Sequence, residues 1–250
     1  MSRHGVKFIK ENQDNPYFLY LSYNAPHGPL QAPEALLAYL QQIPGMETGA
    51  KRLVLLFTQL GDFDSMEYAQ ALVPALSRLE QGGIKTLAIA IGDQAGADRF
   101  CVFTGFPRSQ LRVVSDADLH RSVGLSPGLQ AAGGPWPSLL LMCAGIGSPG
   151  TLAEVLRGYT GDRSAPARFD DSSLFRLAGG SGFQRPFELA TVRLRNMNEV
   201  LTKWSTYVPN NAYITQRGGT FLLDEDDSVL YVHRDKGILG FSETMNKPLT

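Results

Sequence analysis

Residues 53–68 show a strand, a turn and the start of a helix in direct succession, and this order decides the fold class. The apolar run is Leu53-Val54-Leu55-Leu56-Phe57, the turn is Gly61-Asp62-Phe63-Asp64-Ser65, and the helical stretch starts at Met66-Glu67-Tyr68. An unbroken apolar run of this length indicates a strand that is buried on both faces. Apolar residues then recur every three or four positions up to Gly82-Gly83, which predicts an amphipathic helix.

The same alternation continues along the chain. The pattern predicts a strand over Ile84–Ile91, a helix around residues 97–104, a short strand over Arg112–Val114 and a helix around residues 117–123. Strands that alternate with helices in this way pair in parallel through right-handed crossovers. The sequence therefore predicts an α/β fold.

The second half of the chain is organised differently. Residues 126–186 are rich in Gly, Pro, Ser and Ala, which predicts an insertion of loops and short helices. A longer helical stretch follows within residues 188–207. The acidic turn at residues 224–228 separates two β-prone runs, Thr220–Leu223 and Val229–His233, and this predicts a β-hairpin.

Composition excludes several classes of protein. The 250 residues carry a net charge of −1, so the chain lacks the basic surface of a nucleic-acid-binding protein. Its longest apolar stretch, residues 138–146, is far shorter than the roughly 20 residues that a bilayer requires, so we expect no membrane insertion. With two cysteines, and with no signal-peptide pattern at residues 1–7, we expect a reducing compartment, the cytoplasm.

The first long helix has an unusual start. Asp64 and Glu67 have the spacing of a capping box, which predicts Asp64 as the N-cap. Pro74 lies inside the helical pattern and is expected to kink the helix rather than end it. The turn before the helix offers the carboxylates of Asp62 and Asp64 and the hydroxyl of Ser65, but no sulfur.

From about Lys51 to Thr250 the chain resembles the peroxiredoxin-like branch of the AhpC/TSA antioxidant family. The resemblance is carried by residues 61–67, by residues 99–124 and by the passage Arg217-Gly218-Gly219-Thr220 that leads into the predicted hairpin. It implies a thioredoxin-like fold and a thiol-dependent oxidoreductase that reduces peroxides or disulfides. It also implies thioredoxin or another protein as partner, and neither a cofactor nor a metal.

The chain departs from that family at the helix start. Asp62 and Ser65 occupy the positions of a Cys-x-x-Cys pair. A serine hydroxyl does not ionise near neutral pH without a paired base, so Ser65 cannot replace a thiolate. Asp62 is better placed to cap the helix than to react. Gly219 stands where many relatives carry a cis-proline.

Cys101 and Cys143 are the only thiols of the chain. Each lies among apolar neighbours, which favours an inert core position for both. The alternative is a relocated redox thiol at one of them, with the second able to resolve it. In that case Asp62, Ser65, Arg217 and Thr220 line the rim of the former active site, as the family resemblance implies.

Gly145, Gly147 and Gly150 match the letters of a dinucleotide-binding fingerprint. The helical stretch after them stops at Gly158, and no second strand with an acidic end follows, so the context does not fit. We interpret the segment as a loop that enters a short helix. An anion near Arg157 and Arg163 is the alternative.

Residues 5–40 resemble a segment of sulfatases, in which His27 would help to hold the sulfate ester. The Cys/Ser-x-Pro-x-Arg sequence of sulfatases is absent from the chain, and their paired acidic metal ligands have no counterpart. We therefore reject sulfatase activity and interpret residues 1–45 as an N-terminal extension of a thioredoxin-like domain over residues 50–250.

Two functions follow from the sequence. The first is a peroxiredoxin-like redox or antioxidant protein that lacks the usual active-site cysteines. The second is a catalytically silent thioredoxin-fold module that binds a protein or a small anion. The absence of sulfur at the helix start favours the second hypothesis, whereas the family resemblance favours the first.

Overall fold

A computed structural model describes residues 30–160, 163, 167, 173–245 and 248. Contacts between residues divide the chain into two units, Met1–Leu30 and Gln31–Thr250. The fold and the sites below belong to the second unit. His27 and most of the sulfatase-like segment lie outside the described residues, and the domain boundary near residues 45–50 stays a prediction.

The described residues form one five-stranded mixed sheet in the order β3-β2-β1-β4-β5. The parallel pairs are β1–β2 and β2–β3, whereas β4 pairs antiparallel with β1 and with β5. The strands are β1 Lys51–Gln59, β2 Ile84–Ile91, β3 Leu111–Val114, β4 Gly219–Leu223 and β5 Val229–Arg234. The predicted parallel strands and the predicted hairpin are confirmed.

Helices lie on both sides of this sheet. They are α1 Glu34–Leu40, α2 Phe63–Gln81, α3 Gln94–Thr104, α4 Asp118–Ser122, α5 Pro135–Cys143, α6 Thr151–Thr160, α7 Ser173–Gly179, α8 Arg185–Thr202 and α9 Trp204–Tyr207. Helix α2 continues through Pro74, so this proline does not end the helix, and the kink stays a prediction. The predicted insertion between α4 and β4 contains α5, α6 and α7.

The central strand β1 contributes residues to two hydrophobic cores, one on each face of the sheet. Leu55 and Phe57 pack on one face with residues of α2 and α3. Val54 and Leu56 pack on the other face with α1, whose Leu36 is completely buried. Because both faces are covered, β1 shows the continuous apolar run of a buried strand rather than an alternating pattern.

This architecture confirms the predicted α/β class and the thioredoxin-like arrangement. Within the part of the chain that the structure describes, none of the helices is both long enough and apolar enough to span a bilayer.

Candidate functional site

The turn between β1 and α2 packs closely against Val208 and supplies the residue that caps α2. A Cβ atom on Gly61 would lie 2.4 Å from a methyl carbon of Val208, so only glycine fits there. Asp62 caps α2, because its carboxylate accepts a hydrogen bond from the backbone N–H of Ser65 at 3.4 Å. The predicted capping box is wrong. Asp64 lies inside the first turn, and Glu67 pairs with Arg193 at 2.8 Å.

Asp64 points into the protein instead of capping the helix. Its side chain is buried, and its Oδ2 atom accepts a hydrogen bond from the backbone N–H of Leu239 at 2.5 Å. The same oxygen lies 3.4 Å from Nη1 of Arg217. Its Oδ1 atom is buried and has no hydrogen-bond partner among the described residues. A buried charge with an unsatisfied oxygen is costly, so helix capping does not explain Asp64.

Arg217 is the cation of this site and is completely buried. Its Nη2 atom lies 3.4 Å from Oδ1 of Asp62, and its Nε donates to the carbonyl oxygen of Thr215 at 3.0 Å. Asp235 is buried beside it, and a Cβ on Gly218 would lie only 2.9 Å from the Asp235 carboxylate. We call Asp62, Asp64, Asp235 and Arg217 the Arg217 cluster.

The Arg217 cluster contains three carboxyl groups and one guanidinium. Burial, reinforced by the Asp62 carboxylate, raises the pKa of Asp64 well above its ordinary value, although Arg217 opposes this. Burial also raises the pKa of Asp235 to about 7, again against Arg217. Burial therefore favours the protonated forms of Asp64 and Asp235, and the one cation of the cluster already has two carboxyl groups against it.

Ser65 and Thr220 belong to the same region but are occupied by internal hydrogen bonds. The Ser65 hydroxyl accepts from the backbone N–H of Thr58 at 3.0 Å and lies 3.2 Å from the Thr58 hydroxyl. Thr220 shares a hydrogen bond of 2.9 Å with the hydroxyl of Tyr68. Both side chains are buried, and each forms hydrogen bonds that connect elements of the fold.

Cys143 ends α5 and is exposed, so the expected core position is wrong. Its thiol borders an apolar cavity of about 190 Å³ that also contacts Phe63, the first residue of α2, and Leu239. Partial burial and the nearby Asp62 carboxylate raise the pKa of Cys143. The structure thus places an oxidisable thiol beside the helix start, but not in an environment that activates it.

Cys101 lies inside α3 and packs into the core with Phe57 and Phe100. Burial raises the pKa of its thiol to about 11. Both cysteines are free thiols. Of the two predicted thiol candidates, only Cys143 combines exposure with a position next to the Arg217 cluster.

The glycine-rich loop before α6 is tied to the rest of the fold. The hydroxyls of Ser148 and Thr151 lie 2.6 Å apart, and Ser148 accepts from the backbone N–H of Ile238 at 2.7 Å. Arg157 pairs with Glu154 at 2.9 Å. The two hydroxyls of this loop and the Arg157 guanidinium are therefore engaged within the protein.

The described residues contain no group of three or more His, Cys, Asp or Glu side chains that could hold a metal ion. His120 is buried, and its Nε2 atom lies 2.7 Å from the carbonyl oxygen of Phe57. Burial lowers its pKa to about 4, so it remains neutral at physiological pH.

A family model described as AhpC/TSA antioxidant enzyme matches residues 71–237. The chain belongs to this family. No curated protein and no solved structure matches the chain. The match begins inside α2, after the helix start that carries Asp62, Asp64 and Ser65. This AhpC/TSA protein therefore shares with its family the region that holds Arg217 and both cysteines, and the matched residues do not include the turn before α2.

Sequence reasoning missed two parts of the site. Asp235 and the backbone N–H of Leu239 follow β5 and meet the start of α2 only in the folded chain. Leu239 and Asp64 are 175 positions apart, and Leu239 lies in no motif. The sequence contained no local signal for this contact.

Proposed function

We propose that this AhpC/TSA protein is a thiol-dependent peroxide reductase whose reactive group is Cys143. The observation that carries the proposal is the exposed Cys143 thiol beside the first residue of α2. Membership of the AhpC/TSA family supports a redox role. The two free thiols also favour a reducing compartment, and we propose the cytoplasm.

The proposed reaction has two steps. The Cys143 thiolate attacks a peroxide oxygen, an S–O bond forms, the O–O bond breaks, and the leaving oxygen is protonated to water or an alcohol. An external dithiol then reduces the sulfenic acid, becomes a disulfide and releases water. Because Cys101 is buried in the core, the proposed reductant is a separate thiol protein such as thioredoxin.

The surroundings of Cys143 predict a slow reaction at neutral pH. Its pKa is raised, so only a small fraction of the thiol is ionised. Arg217 cannot compensate, because Asp62 and Asp64 already lie against its guanidinium. The rate is expected to increase as the pH rises above neutrality.

A second candidate is a catalytically silent module that binds a protein. Two observations favour it. The Arg217 guanidinium lies against the carboxyl groups of Asp62 and Asp64, and Asp62 caps the start of α2. These contacts remove the positive charge and the free N–H group that an anion would bind. A protein is therefore a better ligand for this candidate than a small anion.

Peroxide consumption separates the two candidates. The assay uses hydrogen peroxide with dithiothreitol or reduced thioredoxin, on the wild type and on the variants Cys143→Ser and Cys101→Ser. We expect the activity to vanish in Cys143→Ser and to persist in Cys101→Ser, with a higher wild-type rate at alkaline pH. Full activity in Cys143→Ser would overturn the first candidate, and an inactive wild type would favour the second.

A further inference from the structure

A groove of about 650 Å³ lies between α2 and the sheet. Among the described residues it shares no lining side chain with the cavity at Cys143, and the proposed peroxide chemistry does not use it. Its volume is within the range of small-molecule binding sites, about 300–1,000 Å³. We call this space the α2 groove.

One wall of the α2 groove is a stripe of side chains along α2. The stripe consists of Tyr68, Leu72, Ala75 and Leu79, whose separations of four, three and four residues place them on one side of the helix. Tyr68 and Leu79 are 11 positions apart, so this wall is about 16 Å long at 1.5 Å per residue. An elongated ligand therefore matches the groove better than a compact one.

The floor of the groove is a row of side chains across three strands. Leu53 of β1 pairs with Leu222 of β4, which pairs with Tyr231 of β5, so the three side chains lie on the same face of the sheet. Phe241 stacks on Tyr68 with 4.5 Å between the ring centroids and begins the second wall. The described residues after β5 form no helix, so this second wall is a loop that leaves the groove open on one side.

Charge is distributed unevenly around the α2 groove. Arg78 lies at the C-terminal end of the α2 stripe, is exposed, and makes no ion pair within the described part of the chain. Burial and, after it, the Glu243 carboxylate raise the pKa of Tyr231, so the negative charge of Glu243 lies on the β5 side. At the end opposite Arg78, the hydroxyls of Tyr68 and Thr220 are 2.9 Å apart and bond to each other. Among the described lining residues, Arg78 is therefore the cation that a ligand can reach.

We propose that the α2 groove binds a long-chain monocarboxylate, such as a fatty acid, with its carboxylate at Arg78 and its alkyl chain along the α2 stripe. A guanidinium bonds a carboxylate through two parallel N–H groups, and the alkyl chain buries apolar surface against the wall and the floor. The reverse orientation is unfavourable, because it moves the carboxylate away from Arg78 and towards Glu243. This proposal does not depend on the peroxide chemistry proposed for Cys143.

The experiment is isothermal titration calorimetry with decanoate, kept below the concentration at which it forms micelles, and with decanol as its uncharged analogue. We expect the wild-type chain to bind decanoate with a dissociation constant in the micromolar range and to bind decanol more weakly. Arg78→Met should weaken decanoate binding about fivefold, the upper end for an exposed ion pair, and should leave decanol binding unchanged. Ala75→Trp fills the middle of the groove and should weaken the binding of both ligands at least tenfold.

Three matched variants should bind decanoate like the wild type. Arg121→Met removes an exposed guanidinium of α4 that does not line the groove. Ala71→Trp adds the same ring to α2 at a position outside the lining, and Cys143→Ser removes the proposed redox group. Circular dichroism checks that all variants are folded.

Three results would overturn the proposal. The first is a wild type that binds no decanoate. The second is an affinity for decanoate that Arg78→Met leaves unchanged, or that decanol equals, because the carboxylate would then have no role in binding. The third is binding that appears only after residues 246–250 are removed, which would assign the groove to the end of the chain itself.

Discussion

The starts of α2 and α3 have the same local arrangement but differ in the charged groups buried beside them. Each helix follows a parallel strand, and each has an aspartate N-cap. Asp62 accepts from the N–H of Ser65 at 3.4 Å, and Asp93 accepts from the N–H of Gly96 at 2.8 Å. The first turn of α3 contains no acidic residue, whereas that of α2 contains the buried Asp64.

The comparison separates capping from charge burial. One carboxylate is sufficient for a cap, as Asp93 shows. At α2 the additional carboxyl group, Asp64, is buried together with the guanidinium of Arg217 and a second buried carboxyl group, Asp235. Buried ion pairs often add little net stability, because desolvation offsets their attraction. The start of α2 therefore carries a costly charge arrangement that the start of α3 does without.

The largest expected effect comes from removing the guanidinium. Arg217→Met leaves the carboxyl groups of the Arg217 cluster without a cation, and we expect it to lower the free energy of unfolding by about 3–5 kcal/mol. Urea unfolding followed by fluorescence measures this. Adding Asp64→Asn should recover part of the loss, since it removes the carboxylate that Arg217 neutralised.

Arg108→Met is the control for this change. Arg108 pairs with Asp98 at the surface, where the two side chains are 37% and 68% exposed. We expect a loss below about 1 kcal/mol for an exposed pair. Equal losses in the two variants would show that the Arg217 cluster is not a buried charge arrangement in solution.

The second effect is a pH dependence from Asp235. Its pKa of about 7 in the folded protein exceeds its ordinary value, so the protonated form stabilises the fold at low pH and this stability is lost as the pH rises to 7. Asp235→Asn lacks this loss. We expect the stability of the variant relative to wild type to increase by about 3 kcal/mol between pH 5 and pH 8.

This difference is measured by urea unfolding of both proteins at each pH. The lowered pKa of His120 acts on both proteins alike and cancels. Asp226→Asn serves as the control, because hydrogen bonds from Ser228 lower the pKa of Asp226 and leave it ionised over this interval. A constant difference between wild type and Asp235→Asn would contradict the expected protonation of Asp235.

The smallest effect distinguishes the two caps. Asp93→Ala removes a short cap hydrogen bond and should cost about 1 kcal/mol. Asp62→Ala removes a longer one. It also removes the 3.4 Å contact with Arg217, but this loss is offset because the Asp62 charge that disfavours ionised Asp64 disappears, so the cost should be smaller. Thermal unfolding of the two variants gives the comparison, and a larger cost for Asp62→Ala would reverse it.

Local patterns predicted most of the fold. The run at residues 53–57 and the periodic stretch after it identified β1 and α2, since burial on two faces and on one face leave different periods in the sequence. The direction in which Asp64 points could not be predicted. It depends on Arg217, which is 153 positions away in the chain.

The exposure of Cys143 could not be predicted from the local sequence either. Residues 139–142 are apolar, and they predict a buried neighbour. In α5, however, the buried residues are Ser138 and Met142, so Cys143 lies on the outer side of the last turn. Which side of such a short helix is covered depends on tertiary contacts, and the sequence of that helix does not determine it.

The buried hydroxyl of Ser65 has a practical consequence for protein engineering. It joins the end of β1 to the beginning of α2 through two contacts with Thr58. A graft of two cysteines at positions 62 and 65 would put a larger atom into that junction and would leave the buried carboxyl group of Asp64 beside the new thiols. Introducing a dithiol at this position would thus require a redesign of the whole first turn.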